Sequence, residues 1–155
     1  MSEATVTFFI IEPEGSGSSS ERTASGAVTC VFDYWLGDDL VRAYPAVLVT
    51  DPVKTALQAL EQPTGFTIAE AHVTTSGFYR KHNPGGSLPS FWAIGVLGQP
   101  GRDDMGMTPA GQLVVSRRVL DLLLDFRIGR AVLVKYSPGE QGPAQHGEEA
   151  GERVR

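Results

Sequence analysis

The chain has 155 residues, of which 41% are apolar and 20% charged, the composition of an ordinary globular protein long enough to bury one core. Its net charge of −5 argues against general nucleic-acid binding, which normally needs a basic face. No apolar run reaches the roughly 20 residues that span a bilayer, and the start lacks the basic residues of a signal peptide, so we expect no membrane partner. The single cysteine, Cys30, excludes an internal disulfide and fits a reducing cytosol.

The first predicted elements are two strands separated by a polar segment. Residues 4–11 are rich in β-branched and aromatic side chains, and residues 26–36 alternate in polarity. Residues 12–25 between them are mostly Gly, Ser and Glu, which predicts a mobile loop. On the second strand Asp33 and Trp35 fall on the same face. A carboxylate beside an indole can serve a ligand, or it can simply stand at the rim of a sheet.

The middle of the chain predicts a strand, a helix and a strand. Residues 46–50 are apolar and extended, and the helix over 52–61 starts with a proline in its first turn and carries an amphipathic stripe. The strand over 66–74 places Glu70 and His72 on one side.

The last third of the chain contains the best-marked helix. Strands at 91–97, 113–115 and 131–136 surround it, and Ser116 is a good N-cap for a helix over 117–127. The apolar arc of this helix is wide, so it should lie deep against a sheet. We expect four of its side chains to be buried, namely Val119, Leu120, Leu123 and Leu124.

These elements predict an α+β fold, with a mostly antiparallel sheet of five to seven strands and about two helices on one face. Residues 1–136 should form a single domain. Residues 137–155 offer almost nothing to bury, which predicts a disordered tail.

Charge is distributed unevenly along the chain. Between Val28 and His72 there are six acids and two bases, and between Arg117 and Lys135 five bases and two acids. If the fold places these segments on different faces, the protein has an acidic surface that can meet a basic partner. The alternative is a solvated surface of uneven charge.

Neither catalysis nor metal binding has a recognisable motif. Ser116 is better explained as a helix cap than as a nucleophile, since no Gly-x-Ser-x-Gly pattern exists. Glu70 and His72 together with Asp103 and Asp104 could hold a metal, but there is no His-x-His or Cys-x-x-Cys spacing. We therefore expect a protein that is not an enzyme and has no metal and no cofactor.

Residues 91–136 resemble immunity proteins of bacterial polymorphic-toxin and contact-dependent competition systems. The resemblance is carried by a Trp-containing strand, the acidic loop Pro100–Asp104, the segment Leu113–Ser116, a Leu-rich helix and a last strand after Gly129. It covers less than a third of the chain, and the paired Cys-x-x-Cys-Gly motifs of some relatives are missing. The resemblance implies a small cytosolic α+β protein that binds a cognate toxin and blocks its active surface.

We therefore predict a cytoplasmic, non-catalytic binding protein, an immunity-type inhibitor whose acidic surface meets a basic protein such as a toxin domain. A homo-oligomer is compatible with the sequence. The candidate partner-binding residues are Asp33, Trp35, Asp38, Asp39, Asp103 and Asp104, although Asp103 and Asp104 can equally accept from amides of their own loop and make it rigid. The alternative is a small-molecule-binding protein or enzyme that uses the Asp33/Trp35 face or the Glu70/His72 strand. A pocket lined by these residues and closed by the loop over 76–89 would favour that alternative.

Overall fold

The computed structural model describes residues 7–137, apart from the side chains of residues 17 and 18. Within this range the chain forms ten strands and three helices, which confirms the α+β class. Residues 4–6 of the first predicted strand and residues 138–155 of the predicted tail lie outside the described part. The elements in chain order are β1 (Phe8–Glu12), β2 (Glu14–Arg22), β3 (Val28–Phe32), β4 (Leu40–Tyr44), β5 (Ala46–Thr50), α1 (Asp51–Gln58), β6 (Phe66–Thr75), α2 (Gly77–His82), β7 (Phe91–Val96), β8 (Met105–Met107), β9 (Leu113–Ser116), α3 (Arg117–Leu123) and β10 (Val132–Tyr136).

Six strands close into a barrel in the order β2-β3-β6-β7-β5-β4. The β3–β6 and β2–β4 pairs are parallel, and the other four pairs are antiparallel. The prediction of a plain, mostly antiparallel sheet was therefore wrong for the main sheet, because alternating polarity identifies strands but not which strands close a ring. The barrel interior is filled by Val28, Cys30, Phe32, Val41, Ala43, Ala46, Leu48, Phe91 and Ala93.

One barrel strand comes from the segment expected to be a mobile loop. Residues 14–22 form β2, which pairs with β3 on one side and β4 on the other. Its Gly- and Ser-rich sequence has little intrinsic strand propensity. The backbone ladders on both sides hold it, and the hydroxyl of Ser20 donates to the carbonyl of Ala43 at 2.6 Å.

The remaining four strands form an antiparallel sheet in the order β10-β1-β9-β8. Helix α1 contacts β5 and β7 of the barrel, α3 contacts β1 and β9 of this sheet, and the two helices contact each other. A second core fills the space between them. Its fully buried members include Ile11, Val53, Leu57, Val115 and Val119.

Helix α3 starts as predicted and ends earlier. Ser116 caps it by accepting a hydrogen bond from the amide of Val119 at 3.4 Å, and the predicted burial of Val119, Leu120 and Leu123 is confirmed. Leu124 was predicted to be buried and is 54% exposed. Regular helix ends at Leu123, and Leu124 is the C-cap residue at the exposed end of the helix.

Two other local predictions need correction. Strand β3 ends at Phe32, so Asp33 and Trp35 do not share the face of a strand. The expected loop over 76–89 contains the short helix α2, which is capped by the hydroxyl of Ser76 accepting from the amide of Tyr79 at 3.1 Å. Six residues with one buried side chain give too short a pattern to recognise from periodicity.

Candidate functional site

The predicted acidic turn faces inward rather than outward. Asp38 is 2% exposed, and its Oδ2 accepts from the amide of Arg130 at 2.8 Å. Asp39 accepts from the hydroxyl of Thr50 at 3.0 Å and from the amide of Arg127 at 2.9 Å. The acidic turn is thus in direct contact with residues 127–130 of the basic segment, through the backbone amides of Arg127 and Arg130.

A buried carboxylate that the sequence analysis did not single out lies behind this turn. Glu14 accepts from the amide of Leu36 and, at 3.1 Å, from the amide of Asp38. Burial raises the pKa of Glu14 and of Asp38; hydrogen bonds from backbone amides oppose this, and the nearby negative charge adds to it. Glu14 lies within a polar stretch, and nothing local marks it as buried.

Asp33 and Trp35 lie just before the same turn in the chain. The Trp35 indole donates to the carbonyl of Asp38 at 2.8 Å, and its ring lies edge-on to Phe91 with centroids 6.0 Å apart. Trp35 therefore packs against the barrel core as well as reaching the surface. Asp33 is partly exposed just after β3.

Asp104 is the central group of a second internal network, and it is 8% exposed. Its carboxylate accepts from the hydroxyl of Ser116 at 2.7 Å, from the amide of Thr64 at 3.0 Å, and from Nε and Nη2 of Arg118 at 3.0 and 2.8 Å. Burial alone would raise its pKa, but the hydrogen bonds from Arg118, Ser116 and Thr64 lower the pKa of Asp104 to about 2.

The neighbouring carboxylate has a local role. Asp103 accepts from the amide of Gln99 at 2.7 Å and from Arg102 at 3.0 Å, and these bonds lower its pKa. Of the six candidate residues, Asp38 and Asp104 are thus buried, and Asp39 and Asp103 bind nearby amides. The structure does not bring the six together on one exposed surface.

An open groove of about 530 Å³ contains exposed polar groups of a different part of the chain. One wall is the second half of β6, and the other is the start of β7 with the two residues before it. The lining residues are Glu70, Ala71, His72, Val73, Thr74, Pro89, Ser90, Phe91 and Trp92. This groove brings the predicted Glu70/His72 pair next to the end of the segment over 76–89.

Glu70 and His72 extend from β6 into solvent. Their side chains are 69% and 62% exposed, and Glu70 Oε1 lies 3.7 Å from His72 Nε2. His72 is paired with Thr29 and Thr74 with Val31 on the parallel neighbour β3, and Val31 is 44% exposed. The groove therefore continues onto an exposed strand surface with both polar and apolar groups.

Trp92 forms the other side of the groove and is held by α1. Its indole nitrogen donates to Oδ1 of Asp51 at 2.9 Å, and the ammonium of Lys54 lies 4.1 Å from the centre of its ring. Lys54 is also 3.8 Å from Asp51. Glu70 is the residue directly opposite Trp92 across the β6–β7 pair. Sequence reasoning found Glu70 but missed Trp92, because only this cross-strand pairing joins them.

No protein-family model, curated protein or solved structure matches the chain. Among residues 7–137, no three His, Cys, Asp or Glu side chains are arranged to hold a metal ion. None of the helices in that range is long and apolar enough to cross a membrane.

Proposed function

We propose that the protein is a cytoplasmic, non-catalytic binding protein of the immunity type, which neutralises a basic protein partner such as a bacterial toxin domain. In this proposal the contact surface is the outer barrel face along β3, β6 and β7. The observation that carries it is the open groove in which the exposed carboxylate of Glu70 lies opposite Trp92. The resemblance of residues 91–136 to immunity proteins supports the same class.

The form of the groove favours a protein partner. It runs along two strands and is open to solvent, whereas small-molecule sites usually enclose most of their ligand. Tryptophan is one of the residues that most often dominate binding energy at protein interfaces. Exposed carboxylates and the overall net charge of −5 favour a basic partner, because complementary charge speeds association.

This surface differs from the one predicted on the acidic turn. Asp38 and Asp104 are buried, and the oxygens of Asp39 are bonded to Thr50 and to the Arg127 amide. Carboxylates that are buried or engaged in this way are less available to a partner than the exposed carboxylate of Glu70. Asp33 and Trp35 retain partial exposure and remain candidates at the margin.

The same groove supports one alternative, a small-molecule-binding protein or enzyme. Glu70 and His72 lie 3.7 Å apart, and a carboxylate beside an imidazole is a common arrangement for proton transfer. Turnover of a small substrate by the purified protein, abolished by Glu70→Gln and by His72→Ala, would establish this alternative and reject the proposal.

The test of the proposal is capture of a partner by the tagged protein from bacterial lysate, followed by binding kinetics with variants. Glu70→Lys should slow association and weaken its dependence on salt, because it reverses a charge in the groove. Asp125→Lys makes the same charge change at an exposed position after α3 and is the matched control. Equal effects of the two variants would show that the partner does not use the groove.

A further inference from the structure

We infer that the groove contains a guanidinium-binding subsite, formed by the indole of Trp92 with Asp51 and Glu70 on either side of it. The inference rests on the proposed function, because it names the group that a basic partner places there, an arginine side chain.

The first observation is that a cation already lies on Trp92. The ammonium of Lys54 is 4.1 Å from the ring centre, within the distance at which a cation is attracted to the face of an indole. The Oδ1 of Asp51 accepts from the indole nitrogen at 2.9 Å and lies 3.8 Å from the same ammonium. One carboxylate thus fixes the ring and faces the cation, so the chain itself shows that this position accommodates positive charge.

The second observation is the position of Glu70. It is directly opposite Trp92 in the antiparallel β6–β7 pair, and the Cβ atoms of such a pair lie about 4.5–5.5 Å apart. The two side chains therefore leave the barrel side by side into the same groove. Glu70 is 69% exposed, whereas Trp92 is partly buried against the second core and Lys54 has only 18% of its side chain exposed. A carboxylate next to an indole is thus presented to solvent.

Arginine fits this pair better than lysine does. The planar guanidinium stacks on an aromatic ring and at the same time donates two parallel hydrogen bonds to a carboxylate, which a point-like ammonium cannot do. Lys54 is the group that an incoming guanidinium has to displace, because its ammonium lies 4.1 Å from the ring centre and offers no second, parallel hydrogen bond. An incoming guanidinium can therefore lie against Trp92, bind Glu70 and displace Lys54.

The subsite is tested without any partner, by two-dimensional NMR of the ¹⁵N-labelled full chain titrated with N-acetyl-arginine amide. We expect saturable shifts of the Trp92 indole N–H and of the amides of Glu70 and His72. The isosteric, uncharged Nα-acetyl-citrulline amide should give no shifts. Nα-acetyl-lysine amide, whose side-chain ammonium is free, should bind at least about threefold more weakly than the arginine probe. Shifts scattered over the surface, or equal for all three probes, would overturn the inference.

Two variants sharpen the result. Glu70→Gln should weaken binding of the arginine probe by at least about threefold, because the charged acceptor is lost. Lys54→Ala should strengthen binding about threefold, because it removes the cation that competes for the ring. Asp125→Asn is the control and should change nothing. Unchanged binding in both Glu70→Gln and Lys54→Ala would reject the subsite.

The two proposals fail in different ways. If partner capture depends on Glu70 but the arginine probe does not bind, the subsite is wrong and the proposed function stands. If the probe binds at Trp92 and Glu70 but partner capture is unaffected by Glu70→Lys, the subsite exists and the proposed contact surface is wrong.

Discussion

Asp104 and Asp38 are 8% and 2% exposed, and each accepts hydrogen bonds that join distant parts of the chain, yet their pKa values are shifted in opposite directions. The Asp104 network connects Thr64, Ser116 and Arg118. The Asp38 network connects Glu14 of β2 with the amide of Arg130 before β10. Both carboxylates were among the candidate partner-binding residues predicted from the sequence.

The difference lies in the donors. Asp104 receives two bonds from one guanidinium and a third from a hydroxyl, and a charged, two-pronged donor offsets the cost of burying a carboxylate. Burial dominates at Glu14 and Asp38 and raises their pKa values, because their bonds come from backbone amides and each lies near another carboxylate, Asp38 for Glu14 and Asp39 for Asp38. Backbone amides thus position these buried carboxylates but do not fully offset the cost of burying their charge.

The largest effect is expected from Asp104→Asn. The variant keeps the shape but loses the charge and replaces one acceptor by a donor facing Arg118 or Ser116. We expect a loss of about 2–3 kcal/mol in the free energy of unfolding at pH 7. Urea denaturation measures it, and Asp125→Asn, at an exposed position, should stay within about 0.5 kcal/mol of wild type. A comparable loss in both variants would mean that the Asp104 network does not stabilise the fold more than an exposed aspartate does.

The difference in unfolding free energy between wild type and Asp104→Asn should depend on pH. The pKa of Asp104 is about 2 in the folded protein, below the value of about 3.9 for an unfolded aspartate. Its contribution is therefore fully present above about pH 4 and is lost as the pH falls through about 2. The stability difference between wild type and Asp104→Asn should shrink over this range. A difference that stays constant between pH 5 and pH 2 would contradict the lowered pKa.

The smallest effect is expected from Glu14→Gln. The substitution sets a side-chain NH2 against the amide of Leu36 or Asp38, but it also removes a buried charge. The two effects oppose each other, so the unfolding free energy at pH 7 should change by less than about 1 kcal/mol. Because the folded pKa of Glu14 is raised, its contribution is present at low pH and lost as the pH rises through that value. The variant should therefore gain on wild type as the pH is raised from about 4 to 7. Glu12→Gln, at an exposed position, is the control. A loss above about 2 kcal/mol in Glu14→Gln at pH 7 would show that the ionised Glu14 stabilises the fold as strongly as Asp104 does.

Local chemistry was enough to predict much of the secondary structure. The β-branched runs that became β5 and β6, the proline at the start of α1 and the cap at Ser116 all act within a few residues. Barrel closure could not be predicted, because it depends on parallel pairing of β2 with β4 and of β3 with β6. The Gly/Ser composition of β2 also pointed away from a strand.

For the candidate site, too, local patterns could be predicted from the sequence but contacts between distant residues could not. Alternation correctly put Glu70 and His72 on one side of a strand. The burial of Asp38 depends on the amide of Arg130, which is 92 residues away in sequence. Charge patterns along a sequence do not reveal such partners, so Asp38 and Asp39 were interpreted as surface groups although they anchor the fold internally, whereas Glu70 of the same acidic segment is exposed.

Closure of the barrel has a consequence for the reactivity of Cys30. Every barrel strand is paired on both sides, so none can separate without breaking two ladders at once. The thiol lies in this interior, and burial raises its pKa to about 11, which leaves almost no thiolate to react at neutral pH. Alkylation of Cys30 must therefore wait for the ring to open. The rate at which the sulfur of Cys30 is alkylated therefore measures how often the barrel opens, independently of local opening of the four-stranded sheet.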